Sequence, residues 1–310
     1  MANHTRITKT VTGTGVIVPM VTPVTASGVI DERAVERIIE HILAGGVAGI
    51  FVLGTTGEGP SVPRPARTRL VQQTVSQVGG RAAVYAGIGD TCLSDSLAAA
   101  DEYFKAGVAA AVAQAPCYYA LQPEEVLGYF RGLLDGVPGP LIIYNIPATT
   151  RVSIPLEVLA QLTGHPRLVG IKDSENDPQR LRELIKRFGD TPNFVISIGV
   201  GAFMAEGLKL GAEGIIPSAG NLVPAACQQL FESIRRGDLA AAEAHAERMK
   251  TVAALYQRDR TLGQSLAALK MALHYLGLCG PDVLPPLVPL GEAGQKAIRA
   301  EMGDWTAKMN

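Results

Sequence analysis

Short apolar runs alternate with segments of helical spacing along the first two-thirds of the chain. Runs such as Val47–Leu53 (VAGIFVL) are apolar throughout, which is typical of strands buried on both faces of a parallel sheet. Segments such as Asp31–Ala44 repeat apolar residues every three or four positions, which indicates a helix with one buried face. The pattern predicts eight strands: Gly15–Met20, Val47–Leu53, Ala82–Ala86, Ala109–Gln114, Leu141–Tyr144, Leu168–Lys172, Phe194–Ile198 and Gly214–Ile216.

Each predicted strand is followed by a helix, and beyond residue 222 only helices are predicted. Such alternation implies a parallel sheet, and eight units predict a closed (β/α)8 TIM barrel. A doubly wound sheet is the alternative, but no GxGxxG follows the first strand. We expect residues 1–236 to form the barrel and residues 237–310 a C-terminal helical extension packed on it. The predicted helices are Asp31–Ala44, Arg64–Val78, Leu93–Ala106, Pro123–Leu134, Pro155–Leu162, Pro178–Phe188, Ala202–Leu210, Val223–Arg236, Leu239–Tyr256, Leu262–Leu276 and Gly294–Lys308.

The composition and charge of the chain limit the kinds of partner that it can bind. The 310 residues are 47% apolar and carry a formal net charge of −1, with no long run of either sign. This balance argues against nucleic acid or an anionic membrane as the main partner. No apolar stretch approaches the ~20 residues of a membrane helix, and the N-terminus lacks an apolar signal core. Four widely spaced cysteines also favour a reduced, cytoplasmic protein.

One lysine interrupts an apolar run in the second half of the chain. Lys172 follows Leu168–Ile171 in PRLVGIKDS, where the predicted sixth strand ends. Because burial disfavours the charged form of an amine, a lysine here can present a neutral, nucleophilic Nζ. Such an amine can condense with a keto acid to form a Schiff base. The alternative is a lysine that emerges from the strand end into solvent or a salt bridge.

Three further segments with chemically active side chains follow predicted strands, where the catalytic groups of a barrel lie. GTTGEG follows the second strand, and its hydroxyls and backbone amides can bind a carboxylate. Tyr118 and Tyr119 follow the fourth strand, and Tyr144 ends the fifth in YNIP. A tyrosine hydroxyl can relay protons when partners assist it. Each segment alone is also compatible with an ordinary turn or a buried, hydrogen-bonded tyrosine.

Taken together, the four segments carry a family resemblance. GTTGE, a tyrosine after strand four, YNIP and GIKD, in this order, resemble the dihydrodipicolinate synthase / N-acetylneuraminate lyase family. The resemblance extends over essentially the whole chain. It implies a class I, aldolase-like enzyme on a (β/α)8 barrel that binds pyruvate as a lysine imine and needs no cofactor.

The resemblance also implies a role for each residue that matches a family motif. Lys172 matches the imine lysine, and Tyr144 matches the neighbouring tyrosine that shuttles protons. Thr55 matches the threonine that relays protons between two tyrosines. Tyr118, with Tyr119 as the lesser candidate, matches the second of these tyrosines, which reaches into the neighbouring subunit's site. Four more residues match the pyruvate pocket, with Thr56 holding the carboxylate: Gly54, Thr56, Gly199 and Ile216.

The chain departs from the family pattern where the second substrate would bind. Synthases that use aspartate semialdehyde carry an arginine five residues after the tyrosine of YNxP, and Thr149 occupies that position here. Arg151, two residues later, is a candidate replacement. Val200 and Gly201 stand where sugar-acid lyases often carry acidic residues. These departures favour a 2-oxo-4-hydroxy-acid or keto-deoxy-acid aldolase, with a true 4-hydroxy-tetrahydrodipicolinate synthase as the alternative.

Two other classes of protein compete with this interpretation. The five histidines show no metal-ligand spacing, which argues against a metal-dependent class II aldolase on the same barrel. A non-catalytic keto-acid-binding protein would not need Lys172, Tyr144, Thr55 and Tyr118 together. We therefore predict an enzyme without metal or cofactor, acting on pyruvate and a small aldehyde or the corresponding 2-oxo acid. The resemblance further implies a homodimer or homotetramer.

Overall fold

Eight parallel strands close into a barrel in the computed structural model, which describes residues 13–307. Each strand pairs with its neighbour in sequence, and the first pairs with the eighth through Gly15 with Gly214 and Val16 with Ile215. The predicted (β/α)8 fold is therefore confirmed. The strands are β1 (Gly15–Pro19), β2 (Gly49–Val52), β3 (Ala83–Gly87), β4 (Ala110–Gln114), β5 (Leu141–Asn145), β6 (Leu168–Asp173), β7 (Val195–Ile198) and β8 (Gly214–Ile215).

The helices follow the predicted order with small shifts at their ends, and Lys308, the predicted end of the last helix, lies outside the described residues. Asp31 caps the first helix, since its side chain accepts a hydrogen bond from the Ala34 N. The helices are α1 (Glu32–Ala44), α2 (Arg64–Val78), α3 (Leu93–Ala106), α4 (Pro123–Gly136), α5 (Pro147–Thr150), α6 (Leu156–Leu162), α7 (Pro178–Phe188), α8 (Met204–Leu210), α9 (Pro224–Arg236), α10 (Leu239–Gln257), α11 (Leu262–Tyr275) and α12 (Glu292–Ala307). The single turn α5 was not predicted, and residues 202 and 203, expected to begin α8, belong to a separate 3-10 turn, Gly201–Phe203.

The inside of the barrel is a packed core that is closed at one end. At the end where the strands begin, the Gly13 N donates a hydrogen bond of 3.0 Å to the Tyr85 hydroxyl, and the Ser197 hydroxyl donates to the Gly13 O. The other end, where the strands finish, is where barrels place their active sites. The inward-facing core consists of Ile17, Phe51, Tyr85, Ala110, Val112, Ile142, Tyr144, Ile146 and Ile216.

The last three helices pack on one another and against the outside of the barrel, mainly through α9. Helix α9 contacts β1, α1 and α8, α10 packs along α9, and α11 packs on α10 and α12. Nine consecutive residues of α11, from Ser265 to Leu273, are buried. Within residues 13–307, no helix has both the length and the apolar character needed to cross a bilayer. The division between residues 236 and 237 stays a prediction.

Candidate active site

Lys172 and Tyr144 lie side by side at the end of the barrel where the strands finish. They are paired residues of β6 and β5, and each is only 4% exposed. The Nζ of Lys172 lies 4.0 Å from the centroid of the Tyr144 ring and 5.1 Å from that of Phe51. The amine is thus shielded from bulk water by two aromatic faces. The alternative of a lysine that emerges into solvent is wrong.

Both strands continue one residue further than predicted, and these two extra residues are also paired. Asn145 and Asp173 form the last register pair of β5 and β6. The Asn145 Nδ2 donates to the Asp173 Oδ2 at 3.0 Å, and the Arg180 Nε donates to the same oxygen at 2.9 Å. Since successive side chains of a strand face opposite sides, this network lies on the outer face of the sheet, behind Tyr144 and Lys172.

The network also includes Glu175, which accepts hydrogen bonds from Asn145 Nδ2 and the Ser153 hydroxyl. Arg180 lies between the two carboxylates, 3.2 Å from Glu175. Burial raises the pKa of Asp173, and the positive charge of Arg180 opposes that rise. The ends of β5 and β6 are therefore tied together by a buried, charge-assisted cluster, which fixes the spacing of Tyr144 and Lys172.

The loop after β2 turns sharply and carries the two predicted threonines. Leu53, which is buried, has a φ of 59°, in the left-handed region that non-glycine residues rarely adopt. A Cβ at Gly59 would lie 2.0 Å from the Leu53 O, so only glycine permits this turn. Thr55 and Thr56 are half-buried in it. Gly54 lies against Phe51, since an added Cβ would approach that ring to 2.6 Å.

Gly199 lies directly beside the lysine side chain. A Cβ at this position would stand 3.2 Å from the Lys172 Cε and 2.0 Å from the Ser174 Oγ. The Gly199 N donates a 2.7 Å hydrogen bond to the Asp173 O, which fixes the loop against β6. Ile216 follows β8 and belongs to the inward-facing core with Phe51 and Tyr144. The structure thus brings Lys172, Tyr144, Gly54, Gly199 and Ile216 together around one end of the barrel.

Four of the candidate residues are not part of this cluster. Tyr118 is 79% exposed and Tyr119 is 64% exposed, and their rings contact each other edge to face at 5.0 Å. Thr149 is exposed on α5, where its hydroxyl donates to the Ile146 O at 3.3 Å. Arg151 ends the same turn with a φ of 57° and is also exposed. In the single chain, the predicted relay tyrosine therefore does not close the site.

Sequence reasoning missed Phe51 and Ser174 as neighbours of the lysine. Phe51 lies within a strand that is apolar on both faces, so the sequence alone does not show which of its residues point inward. Ser174 lies two residues after Lys172, and the period of two of a strand would place it on the same side. That signal was present in the sequence, but no role was predicted for Ser174.

A barrel that carries a buried lysine near the end of its sixth strand, packed against a tyrosine of the fifth, has the site architecture of a class I, Schiff-base-forming lyase. Comparison with known proteins agrees. The profile of the Dihydrodipicolinate synthetase family matches residues 12–304. A 4-hydroxy-tetrahydrodipicolinate synthase of Phenylobacterium zucineum (strain HLK1) is 31% identical over 298 residues, which cover 94% of this chain and 96% of the relative.

Solved structures of the same family superpose closely. The dihydrodipicolinate synthase of Bacteroides thetaiotaomicron matches with a TM-score of 0.90 at 29% identity, over 96% of this chain and all of that chain (100%). YagE, a prophage protein of the dihydrodipicolinic acid synthase family from E. coli K12 solved in complex with pyruvate, matches with a TM-score of 0.88 at 27% identity, over 94% of this chain and 98% of its own. The chain belongs to the dihydrodipicolinate synthetase family, and it is a class I, pyruvate-dependent lyase.

Proposed function

We propose that the protein joins pyruvate to, or cleaves it from, a small aldehyde through an imine on Lys172. The observation that carries this proposal is the position of the lysine, which is buried at the end of the barrel with its Nζ against Tyr144 and its Cε beside Gly199. An amine held in this place, away from bulk water and beside a tyrosine, is positioned to act as a nucleophile toward a keto acid. The glycine leaves room beside the lysine stem for a covalent adduct.

The proposed reaction begins when the Nζ of Lys172 attacks C2 of pyruvate and water leaves, which forms a protonated imine. The iminium withdraws electrons, so a base can remove a proton from C3 and leave an enamine. C3 of the enamine attacks the carbonyl carbon of the aldehyde, and the aldehyde oxygen takes up a proton. Hydrolysis releases the 2-oxo-4-hydroxy acid and regenerates the amine, and cleavage follows the same steps in reverse.

The remaining residues of the site have proposed roles in proton transfer and binding. Tyr144 shuttles protons at the imine, and Thr55 connects it to Tyr118 of a neighbouring copy of the chain. A positioned acid or base of this kind typically contributes ~10²–10⁴-fold to a rate. The half-buried position of Thr55 and the exposure of Tyr118 in the single chain support this arrangement. The proposed pyruvate pocket is lined by Gly54, Thr56, Gly199 and Ile216.

Covalent capture of pyruvate tests the proposal. Borohydride added with pyruvate should reduce the imine and leave an adduct that peptide mass spectrometry assigns to Lys172. The protein should also exchange the C3 protons of pyruvate for deuterium in D2O, which requires no knowledge of the aldehyde. Lys172→Ala should abolish both, while Lys209→Ala, at an exposed lysine of α8, should change neither. A folded Lys172→Ala variant that still exchanges, or an adduct elsewhere, would contradict the proposal.

The same experiment separates the enzyme from a non-catalytic keto-acid-binding protein. A protein that only binds pyruvate would leave the C3 protons in place, since exchange requires catalysed removal of a proton from C3. We also propose that the protein is cytoplasmic and needs no metal, membrane or nucleic acid. The four cysteines are free, which is compatible with a reducing compartment. Exchange that survives chelation by EDTA would support the metal-free proposal, and its loss would contradict it.

We propose an acceptor other than aspartate semialdehyde because of Thr149. This residue offers a neutral hydroxyl that is already hydrogen-bonded to Ile146. An arginine at this position would bind a carboxylate through a charge-assisted pair, and a hydrogen bond to a charged group is worth ~1.5–3 kcal/mol. Its loss corresponds to a decrease in specificity of about ten-fold or more, at ~1.4 kcal/mol per decade.

We therefore predict that kcat/KM for aspartate semialdehyde with pyruvate is lower than for the best member of a panel of aldehydes. Cleavage of 2-oxo-4-hydroxy acids and keto-deoxy acids should be assayed beside it. The alternative, a true 4-hydroxy-tetrahydrodipicolinate synthase, takes its support from the names of the curated relatives. It would be favoured if the semialdehyde is the best acceptor and Arg151→Ala selectively destroys its use.

A further inference from the structure

The loop after β2 contains a glutamate that no step of the proposed reaction uses. Glu58 forms an ion pair with Lys270 of α11, and each side chain is only 1% exposed. The other carboxylate oxygen of Glu58, Oε2, accepts a 2.6 Å hydrogen bond from the Leu284 N. The Nζ of Lys270 also donates to the Asp282 O at 2.8 Å. The loop after β2 therefore meets α11 and the segment that follows α11 at one buried charge pair.

The turn that carries Glu58 also carries Thr55 and Thr56. The Glu58 N donates to the Thr55 O at 3.1 Å, and the Gly59 N donates to the Gly54 O at the same distance. Glu58 itself has a φ of 52°, in the left-handed region that is unfavourable for a residue with a side chain. Such a conformation persists only when the surrounding contacts enforce it. Movement of the Glu58 carboxylate would therefore displace the two hydroxyls that precede it by two and three residues.

We propose that Glu58 is a positioning residue: through Lys270 of α11 and Leu284 of the segment that follows it, the C-terminal part of the chain holds the turn of Thr55 and Thr56 in its reactive position. This inference rests on the proposed function, since it assumes that these two threonines serve the pyruvate site. Stability alone does not account for the pair, because well-packed apolar side chains are often at least as stable as a buried ion pair. Removing one partner, in contrast, leaves an uncompensated buried charge.

The double variant Glu58→Gln/Lys270→Met tests the effect of the pair on the position of the turn separately from its effect on stability. It removes both charges, keeps a side-chain oxygen as acceptor for the Leu284 N, and keeps an unbranched apolar stem in α11. We expect the double variant to fold with a somewhat lower Tm, because methionine cannot replace the hydrogen bond that the Lys270 Nζ donates to the Asp282 O. We also expect kcat/KM for C3 proton exchange of pyruvate to fall about ten-fold or more, with a higher KM and a lower kcat, because small misplacements of catalytic groups are costly.

Wild-type exchange kinetics in the folded double variant would overturn the proposal, since the pair would then serve stability only. Ile298→Ala is the matched control, because Ile298 is a fully buried residue of α12, another helix of the extension. It should lower the Tm and leave the kinetics unchanged. A loss of exchange in this control equal to that of the double variant would also overturn the proposal.

If the double variant does not fold, Glu58→Asp tests the positioning role instead. Aspartate keeps the negative charge on a side chain that is one methylene shorter. Its carboxylate can therefore reach Lys270 only if the turn shifts. We expect lower kcat/KM for exchange in the folded variant, and wild-type kinetics would refute the positioning role. Failure of the proposed function is distinguishable, because the wild-type protein itself would then exchange no C3 proton and trap no pyruvate.

Discussion

Gly199 shows how strongly one missing side chain can determine the chemistry at the buried lysine. A Cβ here would stand 2.0 Å from the Ser174 hydroxyl oxygen and 3.2 Å from the Lys172 Cε. The hydroxyl can rotate away, but the lysine stem and the Asp173 O, also at 3.2 Å, leave little further freedom. An added Cβ at Gly199 should therefore affect the position of the lysine side chain more than the stability of the fold.

We predict that Gly199→Ala lowers kcat/KM for C3 proton exchange of pyruvate by about ten-fold or more, because it displaces the amine from its reactive position. Gly201→Ala is the control, since a Cβ there would meet nothing within 4 Å. Adding Ser174→Ala to Gly199→Ala should recover part of the lost rate by removing the shortest contact. Unchanged exchange in the folded Gly199→Ala variant would disprove this account of the contact.

At the level of single residues, the sequence predicted those whose position follows from a strand end. Lys172 and Tyr144 end apolar runs, so both their location and their neighbourhood could be anticipated, and Gly199 followed from the family resemblance. The Glu58–Lys270 pair could not be anticipated, because it joins a loop to a helix near the other end of the chain. No periodicity within either segment indicates such a partner.

At the level of elements, the strands and long helices were predictable and the short turns were not. Apolar runs and three-to-four-residue spacing reflect burial, which acts over a whole element. The turn α5 has only the four residues Pro147–Thr150, and its sequence PATT is equally compatible with a loop. The 3-10 turn Ser218–Asn221 after β8 was missed for the same reason. Such turns depend on tertiary hydrogen bonds, as when the buried Asn221 side chain bonds to the backbone of Val21 and Pro19.

The last turn of α1 meets this 3-10 turn at a histidine. Burial lowers the pKa of His41, and the neighbouring backbone of Asn221 and Leu222 opposes the shift only in part. His41 is therefore favoured as the neutral form in the folded protein. Below pH ~6.5, the ordinary pKa of histidine, the unfolded chain binds a proton more readily than the folded one.

We predict that the free energy of unfolding falls as the pH drops below about 6.5, and that the contribution of His41 levels off below its lowered folded-state pKa. The measurement is urea unfolding of the wild type and of His41→Gln at pH values from about 4.5 to about 8, which lie on both sides of the ordinary histidine pKa of ~6.5. The difference between the two free energies of unfolding is plotted against pH. The difference should be constant above pH ~7 and should change in favour of the variant below pH ~6.5. A difference that is flat throughout would show that His41 does not titrate differently on folding.

At the level of the whole molecule, the single chain leaves its proposed site incomplete. Tyr118 and Tyr119 are large aromatic side chains at 79% and 64% exposure, in the loop that follows β4 at the open end of the barrel. Paired exposed aromatics of this kind are frequent at protein interfaces. In a symmetric dimer, both chains contribute the same residues to the interface. If Tyr118 of one chain enters the partner's site, Tyr118 of the partner therefore enters the site of the first chain.

Mixing two inactive variants tests whether Tyr118 acts in the partner's site. Lys172→Ala lacks the nucleophile, and Tyr118→Phe lacks the relayed proton, so each homo-oligomer should exchange pyruvate C3 protons ~10²-fold or more slowly than the wild type. A mixed dimer would contain one doubly altered site and one site that combines the intact Lys172 of one chain with the intact Tyr118 of the other. Random one-to-one mixing after dissociation and reassembly should therefore restore about a quarter of wild-type activity. If Tyr118 served its own barrel instead, every mixed dimer would contain one altered residue in each site, and mixing would restore nothing.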